Sequence, residues 1–531
     1  MNNAELIVRL LEQAGVRWVF GVPSGPVLPL IEALRKSDVD YVLTASETSA
    51  GFMAATVGQL TGVPGVCVST VGPGATNLAT GVGAAWLDGA PTIAITCNVP
   101  TPWLERRIQM RIDHHALFRP LTKATIPLRN DNVGEAIRAA IAIALEEVPG
   151  PVHLDLPEDV ASAVAAEDVV ETHVPRSLDA VADQAVEVVK RALREAHRPI
   201  VLTGLAMARS HASDALRAFI ERQNLPLIST LHGKGMFPES HPNWCGVLGR
   251  ARRSDVQAFV DQADLVIAIG YDPIEINYEE WIGRLPVVHI STEPADVADT
   301  VDIRANLGGA MDGAIQALAS LPAIDNEWSE ADFAGQRERL DAALRPDDGT
   351  FGAHHVLDVL RDRLPEDAIL AYDVGAHTHQ IATQWRTDRP GTCLATNGWS
   401  SMGFGMPAAY AAKLVHPDRT VVGLVGDGCF QMTVGELAMA RRLDLAVPIV
   451  VLNDGWLGLM KVKQERKHYP LSAVYLGDPV PSPPHYFGVP CRPANNAAEL
   501  AAALDWALAL GGPSVIEAFI DVESYSSTVF D

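Results

Sequence analysis

Two aspartates at the ends of apolar runs are the residues whose type and spacing first suggest chemistry. Asp427 ends the stretch "RTVVGLVGD", and Asp454 ends the stretch "PIVVLND". Ligands of open α/β sheets bind at such strand ends, and two carboxylates on adjacent strands suit a hard cation that bridges to a phosphate. A structural interpretation is also open, because an Asp in this place can cap a helix and Asn453-Asp454-Gly455 can be only a turn.

The elements around Asp427 should be a strand and a helix. The apolar run before it is typical of a strand that is buried on both faces. The segment Phe430–Leu443 after it carries apolar residues at helical spacing, which predicts a helix. A right-handed crossover through this helix would place the strands that end at Asp427 and Asp454 side by side or one strand apart.

The same alternation of strands and helices extends through the chain. Its 531 residues suggest about three domains. Short apolar runs alternate with helical patterns in residues 1–165, 180–330 and 350–531, which predicts an α/β protein with three doubly wound parallel-sheet domains. Residues 161–177 have the composition of a linker, and residues 319–349 that of a helical linker.

Composition narrows the class of protein. The chain has 41 Lys and Arg against 65 Asp and Glu, a net charge of −24, which argues against nucleic-acid or anionic-membrane partners but permits a small anionic substrate. The six cysteines form no zinc-ligand or disulfide pattern. The N-terminus does not resemble a signal peptide, and no apolar run approaches the ~20 residues of a membrane span. A cytoplasmic location is therefore expected.

A longer pattern surrounds the two aspartates. Gly-Asp-Gly is followed by 24 residues and then by Asn-Asp, which resembles the thiamine-diphosphate binding motif. Nearly the whole chain is similar to the acetolactate synthase-like group of thiamine-diphosphate enzymes, through segments such as "ASETSAGFMA", "VGPGATNLATGVGAAWLDGAPTIAIT", "LISTLHGKGMFPESHP", "DVGAHTHQIA" and "SSMGFGMPAAYAAKL". The resemblance implies a pyrimidine-binding domain over 1–165, a central domain over 180–330 and a diphosphate-binding domain over 350–531.

The resemblance also implies a magnesium site beside the diphosphate. Asp427, the side chain of Asp454 and the backbone carbonyl of Trp456 would bind Mg²⁺, although many relatives carry Asn where this chain has Asp454. The positive end of the following helix would face the diphosphate. The residues implied to contact the cofactor near this ion are Gly426, Gly428 and Cys429.

A second group of residues is implied to contact the two rings of the cofactor. Glu47 matches the glutamate that hydrogen-bonds the aminopyrimidine and promotes loss of the thiazolium C2 proton; its structural alternative is a helix N-cap. Met402 matches the apolar residue that holds the cofactor bent, although ordinary packing would explain it too. The loop Gly72-Pro73-Gly74 would let the backbone approach the rings closely.

Substrate contacts are the part of the site where the chain departs from the family's pattern. In "DVGAH" an alanine replaces the family's glutamine, and His377 is either an acid–base residue or a structural histidine. Gln109 matches an active-site glutamine, unless the register places Met110 there. His114 and His115 resemble the paired histidines of pyruvate decarboxylases, but they also fit an ordinary structural segment.

A basic residue beyond the metal motif raises the question of substrate charge. Lys463 falls where biosynthetic acetohydroxyacid synthases carry a tryptophan that selects the acceptor, and where catabolic ones carry a glutamine; Lys461 lies close by on the same helix. Lys463 could pair with an extra carboxylate, sulfonate or phosphonate on the donor or the acceptor. Alternatively, both lysines are solvated residues of a surface helix.

The resemblance implies thiamine-diphosphate- and Mg²⁺-dependent decarboxylation of a 2-oxo acid, with addition of the carbanion to the carbonyl of an aldehyde or a second oxo acid. The alternatives are a simple decarboxylase that releases an aldehyde, similar to benzoylformate and phosphonopyruvate decarboxylases, and a non-catalytic cofactor-binding homologue. Retention of Glu47 and Asp427 argues against the latter. FAD is not expected, because Ile267–Trp281 resembles FAD-free catabolic enzymes. Glu47 and Asp427 meet across a subunit interface in the family, which implies a homodimer or homotetramer.

Overall fold

The computed structural model of this chain describes residues 1–166, 178, 183–346, 349–478 and 480–529. It contains three separate sheets, of six, six and seven strands, in successive parts of the chain. The predicted architecture of three parallel-sheet α/β units is thereby confirmed. In these described ranges, no helix combines the length and the hydropathy that are needed to cross a lipid bilayer.

The first sheet is entirely parallel, and helices precede or follow most of its strands. Its strands are β1 Trp18–Gly21, β2 Asp40–Leu43, β3 Gly65–Ser69, β4 Thr92–Asn98, β5 Ala124–Pro127 and β6 Pro151–Pro157, in the order β2-β1-β3-β4-β6-β5. The helices are α1 Asn3–Gln13, α2 Leu28–Leu34, α3 Glu47–Thr61, α4 Pro73–Leu87, α5 His114–Phe118, α6 Val133–Leu145 and α7 Glu158–Ser162. Strands β3, β4 and β6 are buried along their whole length, as expected for a parallel sheet with helices on both faces.

The second sheet is also parallel. Its strands are β7 Pro199–Thr203, β8 Leu227–Ser229, β9 Trp244–Val247, β10 Leu265–Ile269, β11 Val287–Ser291 and β12 Ile303–Gly308, in the order β12-β11-β10-β7-β8-β9. The helices of this part are α8 Asp183–Glu195, α9 Ser213–Gln223, α10 Arg253–Val260, α11 Met311–Ala319 and α12 Glu330–Ala343. Helix α12 begins with a capping box between Ser329 and Asp332, and it forms the helical connection that the sequence predicted within residues 319–349.

The third sheet is parallel except at one edge. Its strands are β13 Ile369–Tyr372, β14 Cys393–Leu394, β15 Val421–Gly426, β16 Pro448–Asn453, β17 His485–Tyr486, β18 Val489–Ala494 and β19 Ser514–Phe519, in the order β14-β13-β15-β16-β19-β18-β17. Only β17 and β18 pair antiparallel. The helices are α13 Ala353–Arg363, α14 Ala376–Gln384, α15 Gly405–Val415, α16 Asp427–Thr433, α17 Glu436–Arg442, α18 Gly458–Arg466 and α19 Ala497–Leu510. Strands β15 and β16 are direct neighbours, so Asp427 and Asp454 follow adjacent strand ends.

The helix predicted over Phe430–Leu443 was placed wrongly, because the structure has two short helices there. The first, α16, already begins at Asp427, and the second, α17, begins at Glu436. The chain bends at Gly435, where an added Cβ would lie 3.1 Å from the Cβ of Ala45. The break therefore allows this part of the third unit to approach the first unit closely.

Three contacts fix the first unit against the third. The carboxylate of Glu436 accepts hydrogen bonds from the backbone N–H groups of Ala45 (3.0 Å) and Ser46 (3.2 Å), just before α3. Asp88 accepts from the backbone N–H of Gly398 at 2.8 Å. The ring of Trp399 lies so close to α4 that an added Cβ at Gly83 would be 2.7 Å from it. The start of α3 is thus held by one side chain of the third unit, Glu436.

The connection between the first two units was predicted as a linker over 161–177. Residues 161 and 162 belong instead to the end of α7, and Val164 forms a β-bridge with Asn2. The remainder of that prediction, from residue 167 onward, lies outside the described residues. The domain boundaries 1–165, 180–330 and 350–531 stay predictions.

Candidate active site

A cavity of about 460 Å³ lies where the strands of the third sheet end. Its walls come from the residues after β13, β15 and β16, from the start of α18, and from one residue of the second unit, Arg250. Among the residues predicted from the sequence, it collects His377, Met402, Gly426, Asp427, Gly428, Cys429, Asp454, Trp456 and Lys463.

Asp427 is held by the backbone of both neighbouring strand ends. Its Oδ1 accepts from the N–H of Gly428 at 2.7 Å, and its Oδ2 accepts from the N–H of Gly455 at 2.8 Å. Gly455 has a φ of +73°, a left-handed conformation that glycine adopts without steric cost. The turn after β16 can therefore fold back onto the carboxylate that follows β15.

Asp454 places a second carboxylate in the same cavity. Its Oδ1 accepts from the backbone N–H of Trp456 at 2.8 Å. Burial, followed by the nearby charge of Asp427, raises the pKa of Asp454 to about 8, and burial raises the pKa of Asp427 to about 6. Lys461 contributes little neutralising charge, because it is already paired with Glu465 (2.6 Å) and Glu523 (2.7 Å). Two repelling carboxylates without a basic partner favour a bound cation.

The oxygen ligands beside Asp427 and Asp454 suit a hard divalent metal ion. In the part of the chain that the structure describes, no group of three or more His, Cys, Asp and Glu side chains is arranged to hold a metal. Two carboxylates and a backbone carbonyl, with water and phosphate oxygens completing the shell, are the ligands that Mg²⁺ usually takes. The residues present therefore fit Mg²⁺ and a phosphate group.

His377 lies beside the end of β15. An added Cβ at Gly426 would be 3.0 Å from the Cε1 of His377, so the ring packs directly on the strand end. Burial lowers the pKa of His377 to about 4, which keeps the imidazole neutral. Its buried Nε2 has no hydrogen-bond partner within the described chain. A ligand oxygen in the cavity would satisfy this atom, since a buried polar group without a partner is costly.

Asp373 was missed in the sequence analysis, although it organises the segment that carries Met402. It follows β13, is fully buried, and accepts from the N–H groups of Gly403 and Gly405, both at 2.9 Å. Met402 reaches toward the residue that follows Asp427, because an added Cβ at Gly428 would lie 3.2 Å from its Cε. The signal for Asp373 was present, since it ends an apolar strand as Asp427 does.

Glu47 belongs to a second cluster, which does not line this cavity. It is the first residue of α3, whereas the N-cap is Ser46, so the alternative in which Glu47 caps the helix is wrong. The Glu47 Oε2 accepts from the Nδ2 of Asn77 at 3.1 Å, and its Oε1 would lie 3.1 Å from a Cβ added at Gly74. Gly74 is therefore needed for the close approach of the loop to the carboxylate.

The loop Gly72-Pro73-Gly74 is fixed on its other side by His114. Gly72 has a φ of +66°, and its N–H donates to the Nε2 of His114 at 3.2 Å. The Nδ1 of His114 is 3.3 Å from an oxygen of Asp155, so the ring connects the loop to the end of β6. This arrangement gives His114 a positioning contact, which the sequence did not reveal.

The other predicted substrate residues of the first unit lie near this second cluster. His115 places its Nδ1 2.6 Å from the Oγ1 of Thr125 and its Nε2 3.5 Å from Asp155. Gln109 is exposed, and the carbonyl of Met110 packs against Gly72, because an added Cβ there would be 2.1 Å from it. Within one chain, the structure therefore forms two clusters and does not bring Gln109, His114 or His115 to Asp427.

Comparison with known proteins identifies the family of this chain. Three family models match the chain in sequence order: the N-terminal TPP binding domain of thiamine pyrophosphate enzymes over residues 1–117, the central domain over 186–318, and the C-terminal TPP binding domain over 373–518. The chain belongs to the thiamine pyrophosphate enzyme family. Thiamine pyrophosphate is thiamine diphosphate, so the family predicted from the sequence is confirmed.

Curated relatives resemble this thiamine pyrophosphate enzyme over almost its whole length. A probable acetolactate synthase large subunit of Methanocaldococcus jannaschii is 33% identical over 483 residues, covering 87% of this chain and 81% of the relative. The acetolactate synthase of Bacillus subtilis is 29% identical over 537 residues, covering 98% and 93%. Acetolactate synthase isozyme 2 large subunit of Escherichia coli is 29% identical over 528 residues, covering 98% and 96%. An enzyme of the thiamine-diphosphate-dependent decarboxylase and carboligase class is thereby confirmed.

One wall of the cavity in this thiamine pyrophosphate enzyme was not predicted. Arg250 follows β9 in the second unit, and His379 lies on α14, yet both line the cavity that contains Asp427. The basic run "GRARR" was a visible signal for Arg250. Its place beside the third unit was not visible, because sequence spacing does not show how separate units pack.

Proposed function

We propose that this chain decarboxylates a 2-oxo acid and joins the remaining acyl carbon to a second carbonyl, using thiamine diphosphate and Mg²⁺. The observation that carries the proposal is the pair of repelling carboxylates, Asp427 and Asp454, at adjacent strand ends in one cavity. The relatives named acetolactate synthases support carboligation as the second half of the reaction.

The third unit would hold the charged end of the cofactor. Asp427, the side chain of Asp454 and the carbonyl of Trp456 are the proposed Mg²⁺ ligands. His377 presents its unpartnered Nε2 to the same space and is the proposed hydrogen-bond partner of a ligand group there. The residues proposed to border the diphosphate are Gly426, Gly428 and Cys429, of which Cys429 is fixed by its thiol donating to the carbonyl of Val374 at 3.2 Å.

The first unit would bind the end of the cofactor that carries its two rings. Bound thiamine diphosphate supplies an electron sink for the pair released when CO₂ leaves. Glu47 is the proposed proton-relay carboxylate, and Asn77 fixes its position through the 3.1 Å hydrogen bond. Met402, on the third unit, is the proposed apolar support that keeps the two rings together. His114 holds the loop Gly72-Pro73-Gly74, which borders the rings in this proposal.

The two clusters imply that a complete site needs two chains. Glu47 does not line the cavity of its own chain, while Asp427 does. We therefore propose a homodimer or homotetramer in which one subunit supplies Glu47 and its partner binds the diphosphate. Gln109 and His115, which are near the Glu47 cluster, would then approach substrate from the same subunit as Glu47. A cytoplasmic location stays a prediction.

The reaction balances without any further co-reactant. In the donor, the bond between the carbonyl carbon and the carboxylate carbon breaks, and CO₂ departs. The former carbonyl carbon then forms a bond to the acceptor's carbonyl carbon, whose oxygen takes up one proton. A simple decarboxylase would instead add a proton to the donor carbon and release an aldehyde, so product analysis separates the two.

We further propose that the enzyme works without FAD. The loops after β7 and β8 would have to offer backbone N–H groups to the pyrophosphate of a dinucleotide. Here those of Leu205 (2.9 Å) and His232 (3.1 Å) donate to the buried carboxylate of Glu275. The side chain of Glu275 thus already takes up N–H groups that a dinucleotide's phosphates would need. Purified enzyme should show no flavin absorption, and added FAD should leave its rate unchanged.

The direct test is a substrate screen with purified protein, thiamine diphosphate and Mg²⁺. Each 2-oxo acid is offered alone and with an aldehyde or oxo-acid acceptor, and CO₂ and products are followed by mass spectrometry. Asp427→Asn is the matched control, because it keeps the shape of the side chain but removes the charge that the metal needs. Metal-dependent CO₂ release with a coupled product supports the proposal. Aldehyde as the sole product would favour a simple decarboxylase, and no CO₂ release from any donor would contradict it.

A further inference from the structure

Arg250 gives the cavity a positive charge that no carboxylate among the described residues balances. The residue is half-buried in the cavity wall, and its Nη2 donates to the Oδ1 of Asn397. In the described part of the chain, its buried Nε has no acceptor and no acidic side chain pairs with the guanidinium. Glu275, which acts on it electrostatically, is already used by the N–H groups of Leu205 and His232.

A second cationic side chain lines the same wall. Lys463 also lines the cavity, from α18. Burial, and then the positive charges of Arg250 and Lys463, lower the pKa of His379 to about 3, so its imidazole is neutral. The acidic residues that line the cavity, among those described, are Asp427 and Asp454, and the proposed Mg²⁺ uses both.

The guanidinium of Arg250, which lies in the cavity wall with no acidic partner among the described residues, is suited to bind an anion. Desolvation of an unpaired cation is costly, and an anionic ligand that enters the cavity would offset that cost. The fork of N–H donors on arginine matches a carboxylate or phosphonate better than a lysine ammonium does. Asn397 also fixes the guanidinium in place, which reduces the ordering cost of binding.

The leaving carboxylate of the donor is a poor partner for this arginine. Its charge disappears as CO₂ forms, so a tight ion pair would stabilise the ground state more than the transition state. An anionic group that stays on the molecule throughout the reaction does not have this disadvantage.

We propose that Arg250, assisted by Lys463, binds an anionic group that remains in the product, so that at least one substrate carries a charge beyond the carboxylate that is lost. This proposal rests on the function proposed above, and it names the substrate class of the same site. The retained group is a carboxylate, sulfonate or phosphonate. It belongs either to the donor, as in a dicarboxylic 2-oxo acid, or to an acceptor that is itself a 2-oxo acid.

The kinetic test compares Arg250→Gln, Arg250→Lys and wild type on matched substrates. With pyruvate as donor and acetaldehyde as acceptor, no retained anion is present, and kcat/KM should change by less than about threefold. With 2-oxoglutarate or oxaloacetate as donor, or with pyruvate as acceptor, Arg250→Gln should lower kcat/KM about 10²-fold. Arg250→Lys should recover part of that loss, because it keeps the charge but not the fork.

The arms of this experiment identify which substrate carries the group. A loss confined to dicarboxylic donors, measured with acetaldehyde as acceptor, assigns the retained anion to the donor. A loss confined to oxo-acid acceptors assigns it to the acceptor. An equal loss with pyruvate and acetaldehyde would overturn the proposal, because Arg250 would then act on chemistry or folding rather than on a retained charge. Arg363→Gln is the control for the loss of an arginine charge outside the cavity, because Arg363 pairs with Asp505 on the surface.

A binding measurement separates this proposal from the proposed function. Succinate, which cannot react, is titrated into enzyme loaded with thiamine diphosphate and Mg²⁺ in a calorimeter. Wild type and Arg363→Gln should bind it, and Arg250→Gln should bind it about 10²-fold more weakly. Equal succinate affinity in wild type and Arg250→Gln would overturn the Arg250 proposal even if the enzyme is active. Normal succinate binding by a protein that decarboxylates no 2-oxo acid would support the anion site while contradicting the proposed function.

Discussion

At the scale of single residues, Glu47 lies in a hydrogen-bonded setting that fits a proton relay. It is buried, it accepts from Asn77, and Gly74 leaves room for one of its oxygens. Glu47→Gln keeps the volume and the Asn77 contact but removes the basic carboxylate. Turnover should fall by about 10²-fold or more, because general acid–base catalysis contributes that much.

The measurement for Glu47→Gln pairs steady-state rates with calorimetric titration of thiamine diphosphate. Cofactor affinity should stay close to that of wild type, because the charged end of the cofactor binds elsewhere. Near-normal turnover would show that Glu47 is not the relay residue.

The metal pair offers a comparison between two aspartates. Asp427 accepts hydrogen bonds from both strand ends, so Asp427→Ala removes a proposed metal ligand and also two backbone contacts. We expect it to abolish Mg²⁺-dependent binding of thiamine diphosphate. Asp454→Asn should retain binding, because an amide oxygen still reaches the metal and the repulsion between the carboxylates is relieved. Calorimetry at several Mg²⁺ concentrations tests both variants, and unchanged affinity in Asp427→Ala would contradict the metal assignment.

At the scale of elements, the sequence predicted the buried strands well and the marginal ones poorly. Strands such as β4 and β16 are continuous apolar runs, and both were identified. Strand β12, "IRANLG", is mostly exposed or half-buried, and β17 has only two residues, so neither has a run of apolar residues to recognise. Strand β9 was missed for a different reason: it is buried, but it has only four residues, contains Gly246 and pairs with β8 through a register shift.

A buried ion pair ties the second unit to the third. Lys234 and Glu239 are 2.7 Å apart and almost fully buried, and Glu239 also accepts from the N–H of Thr387 at 3.0 Å. Lys234→Met leaves the Glu239 carboxylate without a cation, and should lower the free energy of unfolding by about 3–5 kcal/mol. Lys234→Met combined with Glu239→Leu should recover most of that loss. Urea unfolding followed by tryptophan fluorescence measures both, and equal stability of the single and double variants would contradict the pairing argument.

A buried histidine in the second sheet predicts sensitivity to acid. His289 donates from Nε2 to the carbonyl of Glu293 and accepts at Nδ1 from the hydroxyl of Tyr278 (3.0 Å). Burial lowers the pKa of His289 to about 4. At a pH between about 6.5, the ordinary pKa of histidine, and about 4, the unfolded chain binds a proton that the folded chain does not. The free energy of unfolding therefore falls as the pH falls through this range.

The loss attributed to His289 should approach about 3 kcal/mol at pH 4 and vanish above about pH 7. His289→Gln should be less stable at neutral pH but should lose less stability on acidification. Urea midpoints across this pH range provide the measurement, and parallel pH profiles for wild type and His289→Gln would rule out this histidine as the cause.

At the scale of the whole molecule, the site is assembled from separate parts of the chain. Spacing along one strand–helix–strand unit was sufficient to pair Asp427 with Asp454, because adjacent strands fix that geometry. Arg250 could not be predicted in the same way, since its position depends on how the second unit packs against the third. The role of His114 in holding Gly72 was hidden for another reason: the two residues lie in one unit but are 42 positions apart.

The separation of Glu47 from Asp427 predicts complementation between inactive variants. Glu47→Gln and Asp427→Ala should each be inactive alone. If each site takes Glu47 from one subunit and Asp427 from the other, a mixed dimer has one site with both defects and one intact site. Co-expression should then restore about a quarter of wild-type activity in a randomly assorted population.

The complementation assay uses two affinity tags, so that mixed oligomers can be purified before the rate is measured. Co-expression of wild type with Asp427→Ala provides the reference for assembly. Mixed oligomers of Glu47→Gln and Asp427→Ala that stay inactive would show that each chain builds its site alone.

Arg250 lies on a different unit from every residue proposed to hold the cofactor. In the proposed site, bond-making chemistry and the choice of substrate charge would be carried by separable stretches of the gene. Recombination that exchanges the middle third of the coding sequence would change which molecules the enzyme accepts while leaving the reaction itself intact. An enzyme that inherits one new segment in this way could accept a new class of substrate. The hydrogen bond between Arg250 and Asn397 lies at the contact between the second and third units that such an exchange must preserve.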